Sequence, residues 1–216
     1  MPRRRAVLLT SLAWLAGALP AGAAVIYESA TLGPVGDSGG FAVDVGQFLG
    51  VRFEVTVPVT TGSIGGHFLN FEPPGPAIFG AIVALTGPTD FPDSLDLTTS
   101  DVLGAALIDA PALSAEVAAN LQVDLTPGWY ALVFGGGLFG AQNTGGVAPN
   151  LNPPIGSPDW IASEGPINPA TPWYQMTLGF TNFRFFVDTL PVPEPGSFAL
   201  LALGLAGLAG ARRRRA

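Results

Sequence analysis

The sequence contains no cysteine and no lysine, and its only histidine is His67. A chain without thiols cannot form disulfides, attack a substrate through cysteine or bind a metal through thiolates. A single histidine also argues against a zinc site. A serine–histidine–acid triad would have to use His67, which we expect instead at the surface or a strand edge, in a glycine-rich turn. The sequence therefore predicts that the protein is not an enzyme.

Basic residues are scarce between the two ends of the chain. Three of the nine arginines stand near the start and four near the end, so only Arg52 and Arg184 lie within residues 24–190. The same region holds fifteen of the sixteen acidic residues, and two positive against fifteen negative charges give a formal net charge of −13. This acidity argues against nucleic-acid binding and against adsorption on anionic membranes. It favours solubility outside the cell or the binding of cations.

The first residues have the order of a secretory signal peptide. Three arginines precede an apolar run over residues 6–19, and Pro20 ends that run. Ala21 and Ala23 fit the small-x-small pattern that signal peptidase accepts, and cleavage after Ala24 is a close alternative. The sequence predicts a helical signal peptide over residues 1–23 that directs export. The other interpretation is an uncleaved anchor helix.

The last residues have the order of a short membrane anchor. Residues 196–211 carry no charge and would span about 24 Å as a helix, against about 30 Å for a bilayer core. A basic stop that stays in the cytoplasm follows; it consists of Arg212, Arg213, Arg214 and Arg215. An extended segment precedes the span, because its prolines disfavour helix and strand; it consists of Pro193, Glu194 and Pro195.

This arrangement over Val192–Ala216 resembles the PEP-CTERM sorting signal of Gram-negative bacteria. The resemblance implies recognition by an exosortase, an integral-membrane transpeptidase-like enzyme, with Pro193, Glu194 and Pro195 marking the processing region. It implies transient anchoring in the inner membrane, then the outer envelope or the exterior, in bacteria that make exopolysaccharide or biofilm. It implies nothing about the body that carries the tail.

The body, residues 24–190, has the pattern of a single antiparallel β-sandwich, jelly-roll-like and all-β. The 29 glycines and 21 prolines favour short strands joined by turns. Alternating residues from Leu49 to Val57 predict a half-buried strand. The apolar runs IFGAIVALT and GWYALVFGG predict central strands or strands covered on both faces. Residues 114–120 could form a short helix, but strand and loop are favoured.

Two later features interrupt this pattern. Phe183, Phe185 and Val187 alternate out of phase with the residues before them, which predicts a bulge near Thr181–Asn182. Residues 143–172 hold seven prolines and predict one long loop, pinned to the body by Trp160 and Ile161. The stretches FLGVRFEVTVPVTTGSIGGHF and LTPGWYALVFGGGLFGA resemble the β-rich ectodomain of some PEP-CTERM proteins of unknown function. That resemblance implies no catalytic site.

Three groups of residues are candidates for ligand binding. Clustered aspartates could bind calcium, but their spacing is not that of a calcium loop, and we expect them to cap turns; they are Asp90, Asp93, Asp96 and Asp101. Four scattered glutamates are poor candidates for a glycosidase pair; they are Glu54, Glu72, Glu116 and Glu164. Trp160 and Trp173 flank the predicted loop and could stack on sugars, whereas Trp129 and Tyr130 are expected in the core. The alternative function is therefore a carbohydrate-binding module acting on exopolysaccharide. We expect no cofactor.

Overall fold

A computed structural model of the chain describes residues 22–71, 78–176 and 182–190. From Ala23 onwards, the described residues belong to one compact unit, Ala23–Val192, which contains the body. The predicted signal helix and anchor helix lie outside the described residues. Within the described ranges, no helix is long and apolar enough to cross a membrane.

The body is all-β, and its strands form two antiparallel sheets. The first sheet contains β1 (Val25–Glu28), β2 (Phe41–Val43), β4 (Val59–Asn70), β7 (Ala115–Asn120), β8 (Asp124–Leu125), β10 (Gly146–Ala148) and β13 (Phe185–Thr189). The second sheet contains β3 (Phe48–Val55), β5 (Ile78–Leu85), β6 (Val102–Ile108), β9 (Gly128–Gly135), β11 (Asp159–Ser163) and β12 (Tyr174–Gln175). A short 3₁₀ helix covers Gly165–Ile167.

The strand order brings distant parts of the chain together. In the first sheet the order is β1-β13-β4-β10-β2, and β7 and β8 also pair with β4. In the second sheet the order is β12-β11-β3-β9-β5-β6. A first core lies between the sheets, where Ile64 and Phe185 from the first sheet meet Val51, Leu132 and other residues of the second. The predicted sandwich architecture is therefore confirmed.

Strand β3 directs the predicted residues to one face, but it was predicted to be half-buried and is instead buried on both faces from Phe48 to Phe53. Leu49, Val51, Phe53 and Val55 are all buried in the first core. Val57 was predicted on the same face, and this is wrong because the strand ends at Val55 and leaves the Val57 side chain 65% exposed. Alternation therefore located the face that packs in the first core but placed the end of the strand two residues too late.

The second sheet is covered on both faces, which explains its continuously apolar strands. Its outer face carries a second core that includes Phe79 of β5 and Val133 of β9. The connection between β5 and β6 supplies Leu97 to this core, and the segment after β11 supplies Trp173. Both faces of β5 and β9 are therefore buried, as the apolar runs predicted.

Two segments differ from, or refine, the prediction. Residues 143–172 are not one loop, because they contain β10, β11 and the 3₁₀ helix. β11 pairs with β3 over its whole length, and Trp160 and Ile161 pin the segment as predicted. Residues 115–120 form strand β7, which confirms the preference for strand.

The change of phase before Phe183 accompanies a change of sheet. β12 pairs with β11 in the second sheet, whereas β13 pairs with β1 and β4 in the first. Phe183, Phe185 and Val187 are fully buried, as predicted. The bulge itself remains a prediction, since Thr181 lies outside the described residues.

Candidate functional site

The four aspartates of the β5–β6 connection take part in hydrogen bonds within that connection. Asp90 Oδ2 accepts hydrogen bonds from Thr86 N (2.8 Å) and Thr86 Oγ1 (2.6 Å). Asp96 Oδ1 accepts one from Thr98 Oγ1 (2.8 Å). Hydrogen bonds from the Thr86 and Thr98 hydroxyls lower the pKa values of Asp90 and Asp96, respectively.

Of the remaining two aspartates, Asp101 accepts a hydrogen bond through its side chain, and Asp93 takes part through its backbone N–H. Asp101 Oδ2 accepts a hydrogen bond from Asp93 N at 2.9 Å. These contacts are turn-capping contacts, as expected from the sequence. In the ranges that the structure describes, no three or more His, Asp or Glu side chains form a group that could hold a metal ion.

Arg52 fastens the aspartate connection to the second sheet. Its side chain is 1% exposed, and its Nη1 lies 2.8 Å from Asp159 Oδ2 on β11. Its Nε donates to the Asp90 carbonyl oxygen at 2.7 Å. The guanidinium carbon lies 4.4 Å from the centre of the Phe91 ring, which is a cation–π distance. Arg52 is therefore buried, and its guanidinium group holds the β5–β6 connection against β3 and β11.

A cleft lies between the β5–β6 connection and the segment before β12. Its volume is about 400 Å³. Its walls are mostly aromatic rings, prolines and leucine; they comprise residues Phe91, Pro92, Asp93, Ser94, Leu95, Pro169, Ala170, Pro172 and Trp173. Trp173 is 7% exposed and donates from Nε1 to the Ser94 carbonyl oxygen at 3.1 Å. The cleft is thus an apolar site with the Trp173 indole fixed in its wall.

Trp160, the other predicted sugar contact, is a core residue. It is 2% exposed, and its ring makes edge contacts with Phe183 and Phe185 at centroid distances of 5.1 and 5.2 Å. The correction follows from β11, which pairs within the second sheet and directs Trp160 into the first core. Tyr130 is buried as expected, with Oη donating to the Thr126 carbonyl oxygen at 2.7 Å. Trp129 is half-buried.

His67 lies in the middle of β4, between β7 and β13, and is fully buried. The expectation of a surface or turn position is therefore wrong. His67 Nδ1 lies 2.8 Å from Asn152 Oδ1. The Asn152 amide nitrogen donates to two backbone carbonyls, so its Oδ1 is the acceptor and His67 Nδ1 donates.

The described contacts of His67 differ from those of a serine–histidine–acid triad. A triad histidine needs a hydroxyl on one nitrogen and a carboxylate on the other, whereas Nδ1 binds an amide. His67 Nε2 is buried, with no hydrogen-bond partner in the described part of the chain. Its environment is that of a packed core histidine.

The expectation from the sequence that no Gly-x-Ser-x-Gly nucleophile motif is present is wrong. Residues 36–40, Gly-Asp-Ser-Gly-Gly, match the letters of a Gly-x-Ser-x-Gly nucleophile motif. That motif requires a strand–turn–helix context, and here it lies in the connection between β1 and β2. Asp37 Oδ1 accepts hydrogen bonds from Ser38 N (2.6 Å) and Gly39 N (3.1 Å). Ser38 has no hydrogen bond to His67 among the described contacts.

The scattered glutamates are not brought together as a catalytic pair. Glu116 on β7 accepts a hydrogen bond from Arg184 Nε, and Glu28 on β1 accepts one from Arg184 Nη1 at 2.8 Å. Glu54 lies on β3 in the other sheet, and Glu164 bonds to Asn168 just after β11. Glu72 lies outside the described residues.

The first and last strands of the body lie side by side. Ala24 N donates to Thr189 Oγ1 at 2.9 Å, and Thr189 N donates to the Ala24 carbonyl oxygen at 2.8 Å. Ala23 and Ala24 are exposed. The other predicted processing residues lie outside the described part of the chain; they are Ala21, Pro193, Glu194, Pro195 and the four arginines Arg212–Arg215. The structured body therefore begins beside the predicted cleavage site.

Comparison with known families identifies the tail. The family model described as the PEP-CTERM protein-sorting motif matches residues 191–215. The chain thus carries a PEP-CTERM sorting motif, which confirms the resemblance seen in the sequence and implies export, transient membrane anchoring and processing by an exosortase. No curated protein gave a significant match to the chain. The match leaves the function of the body open.

Proposed function

We propose that the protein is a non-enzymatic envelope or extracellular-matrix protein that associates with exopolysaccharide or biofilm. Signal peptidase removes its first residues, and an exosortase processes its tail. The observation that carries this proposal is the sorting motif over residues 191–215. The net charge of −13 over residues 24–190 supports the solubility of the body outside the membrane.

The structured body supports the absence of catalysis through the way it uses its reactive side chains. His67 is bonded to an amide, and Asp90 and Asp96 accept hydrogen bonds from their own turn. Arg52 and Arg184 are engaged in ion pairs with carboxylates. These five side chains therefore have structural contacts, which supports the proposal of a non-enzymatic body.

The proposal is tested at Glu194. Glu194→Ala leaves the apolar span and the basic stop unchanged, so membrane insertion should be unaffected. An exosortase that reads the extended Pro-Glu-Pro segment should process the variant poorly. We expect Glu194→Ala protein to reach the membrane and accumulate with its tail uncut. The measurement is retention of a C-terminal epitope in membrane fractions of a host that contains an exosortase.

Two controls accompany this experiment. Glu54→Ala removes an exposed carboxylate from the body and should be processed like the unmodified protein. Removal of Arg212–Arg215 should allow some tails to slip through the membrane. Equal loss of the epitope from the Glu194→Ala variant and the unmodified protein would mean that Pro-Glu-Pro is only a spacer, and would overturn the sorting proposal.

The cleft beside Trp173 favours carbohydrate binding as a second candidate function. Apolar ring faces suit sugar rings, and this cleft combines Trp173 with Phe91 and several prolines. Trp173→Ala should weaken retention of the exported protein on purified exopolysaccharide. Phe139→Ala is the control, because Phe139 is a 44% exposed aromatic residue that does not line the cleft. Because Trp173 belongs to the second core, its variant should melt at a lower temperature, and retention is compared where both variants are folded. Equal retention of the two folded variants would exclude the cleft as the sugar site.

A further inference from the structure

Strand β6 forms one edge of the second sheet. It pairs with β5 and with no other strand among the described residues. An edge strand presents backbone N–H and C=O groups to its open side and can pair with the strand of another molecule. The backbone groups on the open side of β6 can therefore form hydrogen bonds with an extended segment of another chain.

β6 lacks three of the features that commonly protect an edge, namely short length, charge and proline, although it contains one bulge. Val102–Ile108 is seven residues long and contains no charged residue and no proline. The other strands at sheet edges are shorter: β12 has two residues, β2 has three and β1 has four. β7, with six residues, carries Glu116. Short length and charge are common ways of blocking strand addition, and β6 has neither.

An apolar surface continues from this edge onto the outer face of the second sheet. Leu103 and Leu107 are each 39% exposed, and Phe139 is 44% exposed. The Phe139 ring makes an edge contact with the buried Phe79 ring at a centroid distance of 5.2 Å. Phe139 has a φ of 54°, in the left-handed region. Phe139 is therefore held in a backbone conformation that non-glycine residues rarely adopt, one residue before Gly140, where an added Cβ would lie 3.7 Å from Leu107 Cδ1.

The sequence of the edge identifies a suitable occupant. Residues 101–109 read Asp-Val-Leu-Gly-Ala-Ala-Leu-Ile-Asp, which is nearly the same in both directions about Ala105. Leu103 then corresponds to Leu107, and Asp101 corresponds to Asp109. A two-fold symmetric interface places a surface against an identical copy of itself. Two antiparallel copies of this strand centred on Ala105 would meet with small residues opposite small residues, and Leu103 of each copy would lie near Leu107 of the other.

We propose that β6 pairs with β6 of a second copy of this chain, antiparallel and centred on Ala105. Pairing would join the two second sheets into one continuous sheet and cover Leu103 and Leu107 of both copies. Asp101 of each copy would then lie near Asp109 of the other. Like charges opposite one another oppose pairing, so association should strengthen as salt screens them.

The pairing of β5 and β6 contains one irregularity that bears on the register. Ile82 pairs with Gly104 and Val83 pairs with Val102, which leaves Leu103 as the extra residue of a bulge. The regular part of the edge therefore runs from Gly104 to Ile108. Ala105 lies within this part, and its side chain packs on the second core on the outer face.

The absence of cysteine allows a direct test of the register. Ala105→Cys introduces the only thiol of the chain. Residues directly opposite in an antiparallel pair have Cβ atoms about 4.5–5.5 Å apart, close to disulfide geometry. In an oxidising periplasm, full-length Ala105→Cys protein should form a disulfide-linked dimer on a non-reducing gel. Val57→Cys is the control, because Val57 is 65% exposed and lies away from β6, between β3 and β4.

The expected result is at least about tenfold more disulfide-linked dimer for Ala105→Cys than for Val57→Cys, as direct opposition of the thiols requires. Equal amounts in the two variants would overturn the proposal. A disulfide to a host protein in place of a second copy would also overturn it, because the edge would then have a different partner.

Sedimentation of the exported protein without new thiols provides an independent test. The unmodified protein should associate, and more strongly in about 0.5 M than in about 0.02 M NaCl, as charge screening predicts. The double variant Leu103→Glu/Leu107→Glu should be monomeric in both, whereas Val57→Glu should behave like the unmodified protein. An unmodified protein that is monomeric at both salt concentrations would refute the pairing. These outcomes do not depend on tail processing, so they are separate from the test of the sorting proposal.

Discussion

Replacement of Arg52 by methionine tests how the aspartate connection is held on the second sheet. The variant loses the ion pair to Asp159 and the hydrogen bond to the Asp90 carbonyl, and it loses the cation–π contact with Phe91. Breaking a buried ion pair from one side costs about 3–5 kcal/mol. Because the Asp159 side chain is 31% exposed, water can compensate for part of the loss. We therefore expect the free energy of unfolding to fall by about 3 kcal/mol, the lower end of that range.

Urea unfolding of the exported protein measures this change, and hydrogen exchange locates it. Asp159→Asn is the matched comparison, because it removes the charge of the partner but keeps the Arg52 contacts to the connection. That variant leaves the buried Arg52 charge without its carboxylate, so it should lose at least as much, about 3–5 kcal/mol. In Arg52→Met, residues 86–101 should exchange faster than in Asp159→Asn. A loss below about 1 kcal/mol with unchanged exchange would refute the role assigned to Arg52.

Three further predictions concern other parts of the chain. Gly65→Ala should lower the free energy of unfolding by about 1–3 kcal/mol or more in thermal melts, because the new Cβ would lie 2.2 Å from the Val117 carbonyl oxygen; an unchanged melting temperature would contradict this. Burial raises the pKa of Asp188 and so disfavours its ionised form in the folded state. Asp188→Asn should therefore stabilise the protein at neutral pH in urea unfolding, and this advantage should disappear below about pH 4, where Asp188 is protonated in both states. N-terminal sequencing of exported protein should begin at Ala24 or Val25, and finding Met1 would contradict signal cleavage.

Local pattern was enough to predict the faces of the strands. Leu49, Val51 and Phe53 alternate because one face of β3 packs on the first core, and Phe183 and Phe185 follow the same rule. The predominance of short strands could also be predicted from the high content of glycine and proline. These features depend on neighbours in sequence, so a single sequence contains the information that specifies them.

The candidate site depended on contacts that pattern cannot reveal. Arg52 meets Asp159 across 107 positions of sequence, and His67 meets Asn152 across 85. Residues that would be solvated on an isolated strand are buried because distant segments cover them. Trp160 was placed on a loop because prolines surround the short strand β11, and only its pairing with β3 shows that it is buried. The sorting motif could be predicted completely from the sequence, because a processing enzyme recognises it as a local stretch of residues.

The position of β13 links completion of the fold to the order in which the chain is secreted. This last strand of the body lies between β1, the first strand, and β4, and pairs with both. In a chain that leaves the translocation channel N-terminus first, Phe185–Thr189 emerges last of all the strands. Until then β1 has no neighbour in its sheet, and the edge of β4 that β13 will occupy stays open. The sorting motif begins at residue 191, directly after this strand. In such a chain the first sheet can close only after the residues next to the motif have left the channel, so completion of the fold comes at the end of translocation.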